Sequence, residues 1–138
     1  MLPISSSAYF RVAALSGGAA VLLGAFGAHA LRETFATDAA AGGRSRAIWE
    51  TASHYHLAHA LALALAAAAS PPAPAPAPSS CPLFLAGTAV FSGSLYLLAL
   101  MPSRRWLGAL TPVGGLLLVG GWLALAWQTP QLHGARRN

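Results

Sequence analysis

The chain has 138 residues, enough for one domain, and 56% of them are hydrophobic against 8% charged, where soluble domains carry roughly 25% charged residues. That balance excludes a water-soluble globule and intrinsic disorder alike, and a mean hydropathy of +0.58 points to an integral membrane protein. The net charge of +5 comes from eight arginines set at the ends of apolar runs rather than gathered in a patch, so membrane lipid is the expected contact and nucleic acid is not.

The first apolar run covers about residues 8–31, long enough to cross a hydrocarbon core of about 30 Å, with Arg11 able to snorkel to the headgroups. Ala28-His29-Ala30 imitates a signal-peptide cleavage site. The run is longer than an ordinary signal core, however, and it is broken by Gly17, Gly18, Gly24 and Gly27, which favours a retained helix. The chain then turns polar from Arg32 to Arg44, and a helix capped by Ser45 is predicted over residues 45–69. Its first half is polar and its second half is a leucine and alanine ladder, so it is expected to insert as the hairpin partner of the first helix, polar face inward.

Residues 70–82 form a proline-rich connector, six prolines of the chain's ten falling in PPAPAPAPSSCP, and polyproline II at about 3.1 Å per residue is predicted there. A third span over residues 83–101 stops at Pro102-Ser103-Arg104-Arg105. The fourth covers residues 106–127 and admits two readings at Pro112. Either Thr111 caps a helix that starts there, or a longer helix runs through and leaves the carbonyl of Gly108 unpaired. Trp106, Trp122 and Trp127 suit interface anchoring, Trp122 at greater depth. The expected fold is all-α, an integral membrane bundle of four transmembrane helices. Cys81 has no second cysteine to pair with. Arg32, Arg44, Arg46, Arg104 and Arg105 fall in two loops on one side and Arg11, Arg136 and Arg137 on the other, which places both termini away from the cytoplasm or matrix.

Two features carry information about function. Small residues let membrane helices approach closely: Ala20, Gly24 and Ala28 recur at four-residue spacing on the first helix, Ala89 and Gly93 do so on the third, and Gly114 and Gly121 share a face of the fourth. The second feature is histidine. His29 ends the first helix, and His54, His56 and His59 open the second on the same membrane side. At 100° per residue His56 and His59 share a face about 60° wide, Tyr55 and Thr51 lie along the stripe of His59, and His54 points towards Glu50. Ser92, Ser94 and Tyr96 give the third helix a polar stripe on which interhelical hydrogen bonds are expected. The expected role of the histidines is to bond carbonyls and hydroxyls of neighbouring helices. The rival roles are a proton or solute path and the ligation of a metal or haem. No acid–base dyad, nucleophile–base pair, phosphate loop or zinc spacing is present, so no catalytic residue, metal or cofactor is expected.

GAFGAHAL (Gly24 to Leu31), WETASHYHLAHALAL (Trp49 to Leu63), FSGSLYLLAL (Phe91 to Leu100) and TPVGGLLLVGGWLAL (Thr111 to Leu125) resemble, in that order and over nearly the whole chain, the small four-helix membrane proteins known as domain of unknown function 423, a family that includes vertebrate transmembrane protein 256. The resemblance implies four transmembrane helices in a bacterial plasma membrane or a mitochondrial inner membrane. It points to Gly24, Gly27, His29, Tyr55, His59, Ser92, Gly93, Tyr96, Pro112, Gly114, Gly115, Gly121 and Trp122. The proline-rich loop departs from the family pattern. The family has no established activity, so chemistry must come from the residues.

Their balance favours a non-enzymatic membrane protein that packs against other membrane subunits or itself, as a small accessory subunit of a larger inner-membrane complex. The packing residues expected are Gly24, Gly27, Ala28, Ala89, Gly93, Gly114, Gly115 and Gly121, and the buried polar cluster His29, Tyr55, His56, His59, Ser92 and Tyr96. A transporter or proton-conducting module built on those histidines and tyrosines is the first alternative, and a haem- or metal-binding subunit the second.

Overall fold

Ser5 sets the start of the first helix: its backbone is extended, and its Oγ accepts from the amide of Ala8 at 3.3 Å, satisfying one of the amides a helix start leaves free. From there α1 runs over Ser6–His29, followed by a short α2 over Arg32–Ala36, α3 over Gly42–Ala68, α4 over Ser80–Leu100 and α5 over Trp106–Trp127. The structure, a computed structural model, describes residues 4–36, 42–70 and 77–128, and among them every regular element is helical.

Several boundaries differ from expectation for physical reasons. The polar stretch after α1 contains α2, whose Leu31 and Phe35 flank are buried against Trp49 and Ala99; a single amphipathic turn is too short to show a period. Ser45 does not cap α3, which begins at Gly42 and buries Ser45 in its first turns. The proline-rich connector is shorter than expected. Ser80, Cys81 and Pro82 already form the first turn of α4, where proline lacks nothing because the first amides have no partner anyway. Residues 71–76, the centre of the expected polyproline segment, lie outside the described residues, as do Arg136 and Arg137. Of the two readings at Pro112, the longer helix holds: α5 starts at Trp106 and carries Pro112 inside it.

Side-chain pairs fix the arrangement. Gly27 meets Trp49 and Gly17 meets Ala60, so α1 and α3 are antiparallel. Trp49 meets Tyr96 and His59 meets Phe84, so α3 and α4 are antiparallel. Gly87 meets Leu118 and Gly121 meets Phe84, so α4 and α5 are antiparallel. The main helix contacts run α1 to α3, α3 to α4 and α4 to α5, with α2 resting on α3. The four long helices therefore make an open row with α1 and α5 at its ends, and not a closed ring. Arg32, Arg44, Arg46, Arg104 and Arg105 all fall at the end of the row where α1 and α4 finish and α3 and α5 begin.

Three helices, α1, α4 and α5, are long and apolar enough to cross a membrane. The expected fourth, α3, does not meet that standard. It is long enough, 27 residues or about 40 Å, but Glu50, His54, Tyr55, His56 and His59 interrupt its middle and leave too short an apolar run after them. The other three carry exposed Leu15 and Leu22 on α1, Leu97 and Leu100 on α4, and Leu116, Val119 and Leu123 on α5, as lipid contact requires.

Candidate functional site

The polar residues of α3 face two ways, and the row gives each direction a neighbour. His59 is 7% exposed and points between α4 and α5. The indole Nε1 of Trp122 donates to its Nε2 at 3.2 Å. Because an indole N–H can only donate, that nitrogen carries the lone pair, so the ring is neutral and Nδ1–H donates to the carbonyl of Tyr55 at 2.8 Å. Both nitrogens of His59 are thus engaged, Nδ1 within α3 and Nε2 joining α3 to α5. The Tyr55 ring stacks on His59 with centroids 5.6 Å apart, and Phe84 meets Trp122 edge-on at 5.3 Å.

His56 points the other way. Its Nε2 lies 2.9 Å from Ser16 Oγ on α1 and its Nδ1 3.4 Å from Tyr96 Oη on α4. A neutral imidazole donates through one nitrogen and accepts through the other, so Ser16, His56 and Tyr96 form one polarised line of hydrogen bonds across three helices. Two helical turns towards the loop end, Trp49 Nε1 donates to the carbonyl of Leu23 at 2.9 Å and packs edge-on against Tyr96 at 4.7 Å. At the opposite end Gln128 ties the row together, accepting from buried Ser80 at 2.9 Å and donating to the carbonyl of Ala66 at 3.1 Å. Gln128 was not singled out in the sequence, where one amide just past a span carries no periodic signal.

Beside the His56 line lies a half-enclosed cleft of about 240 Å³ between α1, α3 and α4, on which Ser16, His56, Thr88, Ser92, Gly93 and Tyr96 open. A second, wider groove of about 650 Å³ lies on the other side of the row, with Tyr55, His59, Pro112, Gly115 and Trp122 in its wall.

The expected polar cluster is therefore split. His56, His59, Ser92 and Tyr96 line the first cleft, Tyr55 lines only the second groove, and His59 reaches both. His29, at the end of α1, is exposed and joins neither. Tyr55 is 41% exposed, so it is not a buried member: its ring covers His59 and leaves its own outer side open. Ser92 does not make the expected interhelical hydrogen bond. Its hydroxyl, like that of Thr88, is buried without a partner. Ser94 does make one: it donates to the Phe91 carbonyl at 2.9 Å and accepts from Thr111 on α5 at 3.0 Å. No group of three His, Cys, Asp or Glu side chains that would hold a metal ion occurs among the described residues.

The expected packing residues separate equally sharply. A Cβ on Gly27 would strike the indole of Trp49, one on Gly114 would strike the backbone of Phe91, and one on Gly121 would come within 2.8 Å of the Phe84 ring. Gly24 and Gly115 have ordinary room, their nearest neighbours 3.8 Å and 3.7 Å from a built Cβ, and Gly93 has open space. Ala28 and Ala89 are exposed and close no seam. Gly87, which the sequence left unmarked, does: a Cβ there would lie 2.7 Å from Leu118 Cδ2 and 2.9 Å from its backbone nitrogen.

An all-helical chain with three apolar spans, polar groups turned inward and glycine-closed seams is an integral membrane protein. A family model described as protein of unknown function, DUF423, matches residues 23–115, and the chain belongs to that family. It is 37% identical over 126 residues to a UPF0382 membrane protein of Staphylococcus epidermidis, covering 91% of this chain and 98% of that one. A UPF0382 membrane protein of Schizosaccharomyces pombe is 36% identical over 120 residues, 84% of this chain and 96% of the relative. The UPF0382 inner membrane protein YgdD of Escherichia coli K12 is 41% identical over 112 residues, 80% of this chain and 79% of the relative. No solved structure matches.

Proposed function

We propose that the chain spans an inner membrane four times, through α1, α3, α4 and α5, and serves there as a non-enzymatic assembly protein, a small accessory subunit of a larger complex. The observation that carries the reading is the open row. It leaves His54 and Tyr55 of α3 exposed to whatever surrounds the chain, and polar groups facing hydrocarbon are costly unless a neighbour meets them. A partner subunit or a second copy laid along the groove beside Tyr55 answers that need. The inward polar face of α3, engaged by Ser16, Tyr96 and Trp122, supports insertion as a fourth span despite its composition.

Two measurements test it. Reporter fusions at the two ends of the chain should report the same side of the membrane, with the five-arginine end of the row opposite them; opposite sides would leave α3 lying outside the bilayer. Gentle solubilisation of native membranes, separation by size and mass spectrometry should find the chain migrating with other subunits. Migration as a lone monomer would refute the assembly role. The line from Ser16 through His56 to Tyr96 favours one alternative, proton passage. Purified chain in liposomes would then carry a pH-driven flux that His56→Ala abolishes.

A further inference from the structure

The 240 Å³ cleft holds an unresolved debt of hydrogen bonding. Ser92 is 2% exposed and Thr88 8% exposed, yet both hydroxyls are buried without partners. Both residues line the cleft, where a change of rotamer would present the hydroxyls. A hydroxyl kept from water and from any partner costs on the order of 1–3 kcal/mol. The usual remedy in a helix, donation to the carbonyl one turn back, is used by Ser70 and Thr51 in this chain and by neither of these two. Thr88 and Ser92 lie one turn apart, so the two donors stand about 6 Å apart along α4. Tyr96 continues the stripe, and its hydroxyl is already held by His56.

The rest of the wall decides the class of molecule that fits. No carboxylate, lysine or arginine lines the cleft. The imidazoles in its wall, His56 and His59, are already hydrogen-bonded at both ring nitrogens, and most of the remaining lining is leucine, alanine and glycine. A charged ligand would find no carboxylate, lysine or arginine as counter-ion, and most of the open wall is apolar. A cavity of about 150 Å³ accepts benzene, so 240 Å³ accommodates a substituted ring. Thr88 and Ser92 are the ninth and thirteenth residues of the 21 in α4, which places them near half depth and away from the ester groups of phospholipids at the boundary. We propose that this cleft binds an uncharged lipophilic molecule through carbonyl oxygens that accept from Thr88 and Ser92, of the kind a membrane-dissolved quinone ring presents. This binding does not depend on the assembly role.

The test uses the full chain in nanodiscs, titrated with a short-tailed benzoquinone while tryptophan fluorescence is followed; Trp49 touches Tyr96 and Trp122 bonds His59 at the cleft wall. Quenching should saturate, and Thr88→Val or Ser92→Ala should each weaken binding about three- to tenfold. Ser94→Ala, whose hydroxyl is bonded elsewhere, should leave it unchanged. Both cleft variants should melt at or above the wild-type temperature, because each removes an orphan hydroxyl, so weaker binding is not a sign of unfolding. Native mass spectrometry of gently extracted chain separates the sources: a retained quinone, or a retained lipid lost in both variants, supports carbonyl recognition and says which molecule supplies it. Quenching that never saturates, or that is equal in the Thr88→Val/Ser92→Ala double variant, overturns the proposal.

Discussion

The seam between α4 and α5 and the seams that α3 makes with its neighbours are closed by different means. Between α4 and α5, Gly87, Gly114 and Gly121 face Leu118, Phe91 and Phe84 so closely that a methyl group has no room. Along α3 the contacts are polar: Trp49 on the Leu23 carbonyl, His56 between Ser16 and Tyr96, His59 between Tyr55 and Trp122. Lipid tails are as apolar as leucine, so hydrophobic association assists neither seam. The first is held mainly by dispersion at short range, with one bond between Ser94 and Thr111 across it. The second is held mainly by hydrogen bonds, with Gly27 closing on Trp49 beside them. The first fails by gaining volume and the second by losing a partner.

Adding volume should do the greater harm. Gly114→Ala places its methyl on the backbone of Phe91, which cannot turn aside, so α4 and α5 must separate. A cost of about 3 kcal/mol or more is expected, at the upper end of overpacking, read as a clear drop in the thermal midpoint in detergent. Gly121→Ala meets only the Phe84 ring, a side chain able to shift, and should cost about 1–2 kcal/mol. Equal effects of the two would mean that the seam yields as a whole and is not closed by shape at single points.

Losing a partner should matter less. His59→Phe keeps a ring against Tyr55 and Phe84 but strands the indole N–H of Trp122. Polar contacts between membrane helices are worth about 0.6 kcal/mol on average and at most about 1.7, so a loss near 1 kcal/mol is expected. Trp122→Phe in the same chain should restore most of it, since the stranded donor is then gone. A double-mutant cycle by thermal unfolding measures the coupling, and additive losses would place the strength of the α3 to α5 contact in packing alone. Trp49→Phe is the milder counterpart on the α1 side. It gives up the bond to the Leu23 carbonyl while keeping the ring contact with Tyr96, for about 0.5–1 kcal/mol.

The same contrast explains what the sequence revealed. The spans α1, α4 and α5 are legible because insertion depends on summed composition, and composition is visible without neighbours. The seams are legible only where spacing matches the helix. Steps of four residues rotate about 40° each, so Ala28 has turned some 80° away from Ala20 and lies exposed. Gly27, seven residues on from Ala20, returns to within about 20° and meets Trp49. Gly114 and Gly121 are likewise seven apart, and both were found. Gly87 has no glycine or alanine at either spacing, and only the position of Leu118 reveals it. The spacing marks a polar stripe on α4 from Ser92 to Tyr96, whereas Thr88 one turn earlier extends it along the cleft. The partition of the histidines into two faces was partly visible in the 60° between His56 and His59. Which helix stood on each side of them was not, because the row order depends on contacts far apart in the chain.

The smallest effect is the most discriminating. Gly93 lies on α4 like Gly87, but a Cβ there meets nothing within 4 Å. Glycine inside a helix is less favourable than alanine by about 0.5–1 kcal/mol, so Gly93→Ala should leave stability unchanged or raise it by that amount, the opposite sign to the single substitutions in the two seams. Measured on chain purified in detergent, that gain separates glycines that close a seam from glycines that merely occupy a helix. Measured again in native membranes, it reads what lies over α4 there. A gain that persists means lipid or empty cleft beside Gly93. A gain in detergent that turns into a loss in the membrane means another helix or a bound molecule rests on that face, closing it by shape just as α5 closes the face at Gly87.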